Sequence, residues 1–258
     1  MSQDQPLSLP PVSAWKSQVL RLTAFPSKPF QIPEPSWWFK LLGELPDDRV
    51  SKPKQTGVLE IGPFQSGRLQ LNVLPVKIDW HYTIPDDQPI TEQEGIQSIG
   101  PFLDSLEHFR PLMLRWLDEM CPPIQRLAFG AIVTQPVGSH QEGYRQLSAY
   151  IPSVKLETEG SSDFLYQINR PRNTKTGISD LEINRLCKWS VIKARALFMT
   201  SPPSKVVIQD LNLLACRLEM DINTSQEYSS DLPPKQLSQI FQELTDFSKE
   251  IAANGDIP

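Results

Sequence analysis

Cysteine is nearly absent from this chain: Cys121, Cys187 and Cys216 are the only three in 258 residues. An odd, unpatterned set builds no disulfide framework. Cys187 and Cys216 sit in apolar, strand-like runs that suit buried thiols. Histidine is equally scarce. His81, His108 and His140 are scattered, and no paired Cys or His spacing matches a zinc site, so no metal is expected. Phosphate-binding glycine loops are missing as well. The glycines at 57, 62 and 67 read as hairpin turns, because Pro63 follows Gly62. No Gly-x-Ser-x-Gly elbow presents a nucleophile. The acid pairs Asp47–Asp48 and Asp86–Asp87 lie in proline-rich turns and read as solvated charges. No cofactor is therefore expected. No window approaches the ~18 apolar residues of a membrane span, and the start of the chain lacks the basic and apolar stretches of a secretory signal. These absences favour a cytoplasmic protein with no membrane contact.

What is present is ordinary globular composition, 39% hydrophobic and 21% charged, enough for a sizeable core. The net charge of −5 makes the whole chain a poor non-specific nucleic-acid binder. Its 25 prolines fall mostly between periodic segments. A strand is expected over 18–25, and then Pro26, Pro29, Pro33 and Pro35 exclude regular structure up to Ser36. Ser36 caps a short helix whose Trp37, Trp38, Phe39, Leu41 and Leu42 read as core packing. Period-two alternation marks strands over 68–74 and 76–82, with a shorter one over 58–61. Pro75 breaks the chain between the last two runs.

A helix is expected over 91–119, opened by a Thr91/Glu94 capping box. Its apolar stripe is Ile99, Leu103, Leu106, Phe109, Met113, Trp116 and Leu117, and Pro111 should kink or restart it. Strands follow over 125–134, 163–170, 184–197 and 211–222, with a short helix over 141–150. A last amphipathic helix covers 234–253, begun by Pro234 and stopped by Gly255. Strands and helices that do not alternate argue for an α+β fold: a mainly antiparallel sheet with an amphipathic central helix and a C-terminal helix packed on it. The reading is a single domain over 1–258 with a proline-rich N-terminal part, any subdomain boundary falling near 84–98.

The unusual segment runs from Tyr166 to Arg195. Arg170, Arg172, Lys175, Arg185, Lys188, Lys193 and Arg195 face only Asp180 and Glu182 there. Arginine forks suit carboxylates and phosphates, and asparagine and aromatic neighbours suit nucleotides. Arg170, Arg172, Asn169, Arg185, Asn184, Lys188 and Trp189 are thus the candidates for binding an anion or a partner. The competing expectation is that these charges are consumed by acids of the stretch from Glu219 onward, including Glu243, Glu250 and Asp256, within the chain or between subunits. Ile168-Asn169-Arg170 is echoed by Ile183-Asn184-Arg185, which a hairpin through 171–182 would explain.

The order of several short motifs resembles a sporadically distributed, uncharacterised bacterial protein family. They are Pro10-Pro11-Val12 before the first strand, Ile78-Asp79-Trp80 ending another, Ile124-Gln125-Arg126-Leu127 after the central helix, and Met220-Asp221-Ile222-Asn223 before the final one. The resemblance carries no activity and no catalytic residues, and a sporadic distribution implies mobile or defence-linked genes. The expectation is a non-enzymatic binding or assembly protein with a protein partner or as a homo-oligomer, an accessory component of a bacterial defence or toxin-control system. Two alternatives stand beside it. One is an RNA-, nucleotide- or other anion-binding protein using residues 166–195. The other is an enzyme, a hydrolase or nuclease, with a site assembled only in three dimensions.

Overall fold

The computed structural model describes residues 9–52, 57–85, 95–200 and 205–258, with 52, 195–200 and 205–210 described by backbone alone. The strands are β1 (Lys16–Pro26), β2 (Asp48–Lys52), β3 (Gly57–Phe64), β4 (Gly67–Leu74), β5 (Lys77–Thr83), β6 (Ile124–Val137), β7 (Leu165–Asn169), β8 (Arg172–Asn173), β9 (Glu182–Thr200) and β10 (Lys205–Thr224). They form one sheet in the order β2-β3-β4-β5-β1-β6-β10-β9-β7, with β8 also on β9. Every pairing is antiparallel. The helices are α1 (Trp37–Leu42), α2 (Phe102–Glu119), α3 (His140–Tyr150) and α4 (Leu237–Asn254). The fold is α+β with a C-terminal helix on an antiparallel sheet, as the sequence pattern requires.

Alternation sorts the side chains onto two faces. Leu20 and Leu22 of β1, Trp80 and Tyr82 of β5, Phe129 and Val133 of β6, and Leu218 and Ile222 of β10 share the inner face and are fully buried. All four helices pack on this side. α2 contributes Phe102, Phe109, Met113 and Trp116, and α4 contributes Ile240, Phe241, Leu244 and Ile251, all at helical spacing. The expected cap on α1 is present, with Ser36 Oγ accepting from the Phe39 N–H at 3.3 Å. Trp37 and Trp38 are buried, whereas Phe39 is exposed.

Several boundaries differ from expectation. The central helix begins at Phe102, and its expected Thr91/Glu94 cap lies outside the described residues, as do Asp86 and Asp87. Residues 95–101 are irregular because β1 supplies their backbone partners: Ile99 N–H donates to Ser17 O at 2.8 Å and Ser17 N–H to Gly100 O at 2.9 Å. Ile99 is buried, so it fits the helical stripe without being helical. α2 runs unbroken through Pro111. That residue is exposed, so the carbonyl it leaves without a donor faces water. Asp48 opens β2, where a turn was expected. This strand is short and polar, and its one apolar residue, Val50, is exposed, so it carries no burial pattern.

The hairpin expected between the echoed motifs is formed by β7 and β9, with Asn169 opposite Leu186. Asn169 Nδ2 donates to Asn184 Oδ1 at 2.8 Å, so the repeated asparagines bond each other. No helix among the described residues is long and apolar enough to cross a membrane.

Candidate functional site

The basic segment does not converge on one site. Four of its candidate side chains lie on the helix side of the sheet. Arg170 donates from Nε and Nη2 to the two oxygens of Asp256, each at 2.9 Å, and Tyr166 Oη donates to the same carboxylate at 2.8 Å. The Arg170 bond, with help from Tyr166 and Ser153, outweighs burial and holds the Asp256 carboxyl below the usual carboxylate range. Arg172 binds Glu250 at 3.0 Å and also donates to the Pro258 carbonyl. Arg185 is 1% exposed and lies 5.2 Å from the Phe247 ring centre. Trp189 is fully buried, stacked on Tyr150 at 5.3 Å with Trp15 edge-on at 6.1 Å.

The other three candidates face the opposite side. Asn169, Asn184 and Asn223 form a side-chain ladder, the second step being Asn184 Nδ2 to Asn223 Oδ1 at 3.2 Å. Lys188 pairs with Glu219 at 3.1 Å. The acidic stretch from Glu219 onward therefore meets Arg170, Arg172 and Lys188 within the chain. Glu243 also accepts from the Lys175 N–H at 2.8 Å and from Thr174 Oγ1 at 2.6 Å. Arg195 is described by backbone alone.

Among the described residues no helix packs on that second face, and a groove of about 530 Å³ crosses it. Strand order brings its lining together. His81, Arg21, Gly130, Asp221 and Leu186 are neighbours in one row across β5, β1, β6, β10 and β9. Ile132, Glu219, Lys188 and Gln167 form the next row. Gly130 matters because a Cβ there would lie 3.2 Å from Arg21 Nε and Nη2, so its absence lets the guanidinium rest on β6. Arg21 then reaches Asp221 at 3.8 Å, and its Nε has no partner. Beside this groove, Asp79 is buried and accepts from Thr23 at 2.6 Å, with Lys77 at 2.9 Å.

Burial pushes the Asp79 pKa up, but nearby His81 at 4.0 Å, the hydrogen bond from Thr23 and the Lys77 ammonium outweigh it and hold it at about 2. A folded-state pKa below the unfolded value of ~3.9 stabilises the fold above that value and loses its contribution as pH falls toward 2. Asp79→Asn is accordingly less stable than the wild type at pH 7. Urea titrations at a series of pH values should show the gap narrowing between about pH 4 and pH 2.

Period-two alternation over 76–82 and 211–222 puts Lys77, Asp79 and His81 on one polar strand face, and Arg217, Glu219 and Asp221 on another. It does not join them, because the signal that joins them is strand order. Among the described residues no group of three or more His, Cys, Asp or Glu side chains is placed to hold a metal ion. Burial pushes the Cys187 and Cys216 thiols up to about 12, which keeps them protonated and poor nucleophiles at neutral pH. No family model, curated protein or solved structure matches this chain.

Proposed function

We propose that this chain is a non-enzymatic binding protein whose partner is a polypeptide segment lying across the bare face of the sheet. The observation that carries this reading is the charge pattern of the groove. Arg21 stands with Asp221, and Lys188 with Glu219, between apolar Val19, Ile132 and Leu186. A polyphosphate ligand needs an excess of positive charge. A polypeptide offers both charge signs and apolar side chains, and complementary charge fixes its register. The alternative anion-binding reading loses support because Arg170 and Arg172 are already engaged by Asp256 and Glu250.

The test is the double variant Arg21→Glu/Lys188→Glu, compared with Lys235→Glu at an exposed position outside the groove. The groove variant should keep its circular dichroism spectrum and lose at least about tenfold in affinity for the polypeptide that co-purifies with the wild type, the order expected for two interfacial charges. Lys235→Glu should bind normally. Retained binding by the double variant, or RNA in place of a polypeptide on the wild-type protein, counts against the proposal.

A further inference from the structure

The dimensions of the bare-face groove restrict what it can hold. Its lining forms two rows that cross the strands from β5 to β7. At ~4.8 Å between strands and ~6.7 Å between alternate residues of one strand, that track is about 24 Å long and about 7 Å wide. An α-helix, about 10–12 Å across with its side chains, is too wide to enter it. An extended chain fits, and about seven residues span the length at ~3.4 Å each. Such a chain crosses the strands and cannot join their ladder, so its backbone groups need side-chain partners. The lining supplies both kinds: Arg21 and Lys188 donate, Glu219 and Asp221 accept, and Gln167 does either.

The positions of the lining residues set the order of the bound side chains. Alternate residues of an extended chain point toward the sheet every ~6.7 Å, or about 1.4 strand spacings. Val19 and Ile132 are paired neighbours on β1 and β6 and offer an apolar seat between those strands. The next inward side chain then falls over β10, at Asp221 and Glu219, and the one after it over β9, at Leu186. Of the two acids, Asp221 is the freer. Its side chain is 44% exposed, Asn223 donates to its Oδ1 at 3.0 Å, and its Oδ2 has Arg21 at 3.8 Å, beyond hydrogen-bond range. Glu219 is held more closely, by Lys188 at 3.1 Å and Arg217 at 3.3 Å. We infer that the groove recognises an extended segment with a basic residue at its centre and an apolar residue two positions to either side. This rests on the polypeptide reading of the groove: the basic residue binds Asp221, and the apolar pair seats on Val19 with Ile132 and on Leu186.

The test is selection of displayed heptapeptides, randomised at all seven positions, on the wild-type protein. The enriched peptides should carry Lys or Arg flanked two positions away on each side by Leu, Ile, Val or Phe. Exchanging that central Lys or Arg for Glu in a synthetic copy should weaken binding at least about tenfold, measured by fluorescence anisotropy. Asp221→Lys should reverse the preference toward Asp or Glu at the same position. Asp221→Asn, which keeps the size of the side chain, should lose the preference without reversing it. A different enriched pattern, or one unchanged by both Asp221 variants, would overturn this inference and leave the polypeptide reading standing. Failure to enrich any heptapeptide would overturn it as well, and the polypeptide reading falls with it only if the wild-type protein also co-purifies with no polypeptide.

Discussion

Trp15→Ala lowers the stability of the fold by about 3–5 kcal/mol, the range for deleting a large aromatic from a packed core. Trp15 is fully buried just ahead of β1. Its Nε1–H donates to Ala252 O at 3.0 Å, across 237 residues of sequence. Its ring meets Tyr150 of α3 at 5.4 Å and Trp189 of β9 at 6.1 Å. The residue therefore joins the entry to the first strand, the end of the last helix and two later elements, and its loss leaves a cavity that none of them can close alone. In urea the midpoint should fall while the slope stays unchanged, because the same surface is exposed on unfolding. Trp15→Phe keeps most of the packing and gives up the hydrogen bond, so it should cost clearly less.

Gly255→Ala is the second severe substitution. Gly255 ends α4 with φ 80° and ψ −151°, a region that only glycine adopts without strain of about 1–3 kcal/mol. A Cβ there would also lie 2.1 Å from the Tyr150 carbonyl oxygen, a backbone atom that cannot swing aside. The close approach is needed because the next residue, Asp256, donates its N–H to that same carbonyl at 2.7 Å and accepts from Arg170, Tyr166 and Ser153. The alanine should lower Tm and release the segment after α4, which limited proteolysis would detect as new cleavage beyond Asn254. An unchanged Tm would mean that the segment's docking contributes nothing.

Much of this architecture is legible in the sequence because strands and helices write their burial in different periods. Spacing alone marks a strand over 211–222 and an amphipathic helix over 234–253, and the structure buries Leu218 and Ile222 in the one and Leu244 and Ile251 in the other. Ile99 misleads because a buried loop residue can coincide with a helical stripe, and β2 is invisible because an edge strand without buried apolar residues has no stripe. The pairing of Arg170 and Arg172 with the C-terminal acids is legible as charge segregation, though not as particular partners. The bare-face groove is not legible at all. β1 lies between β5 and β6, and β6 beside β10, so Arg21, His81, Gly130 and Asp221 become neighbours only once the strand order is known.

The central claim, that the bare face receives a polypeptide, is tested most directly by placing a photo-crosslinking amino acid at exposed Gln167 in the groove. The same probe at exposed Lys235 serves as the control. The account predicts one polypeptide adduct from Gln167, absent from Lys235 and lost when Arg21→Glu/Lys188→Glu is added. Adducts that form equally from Lys235, or that survive the charge reversals, would contradict it.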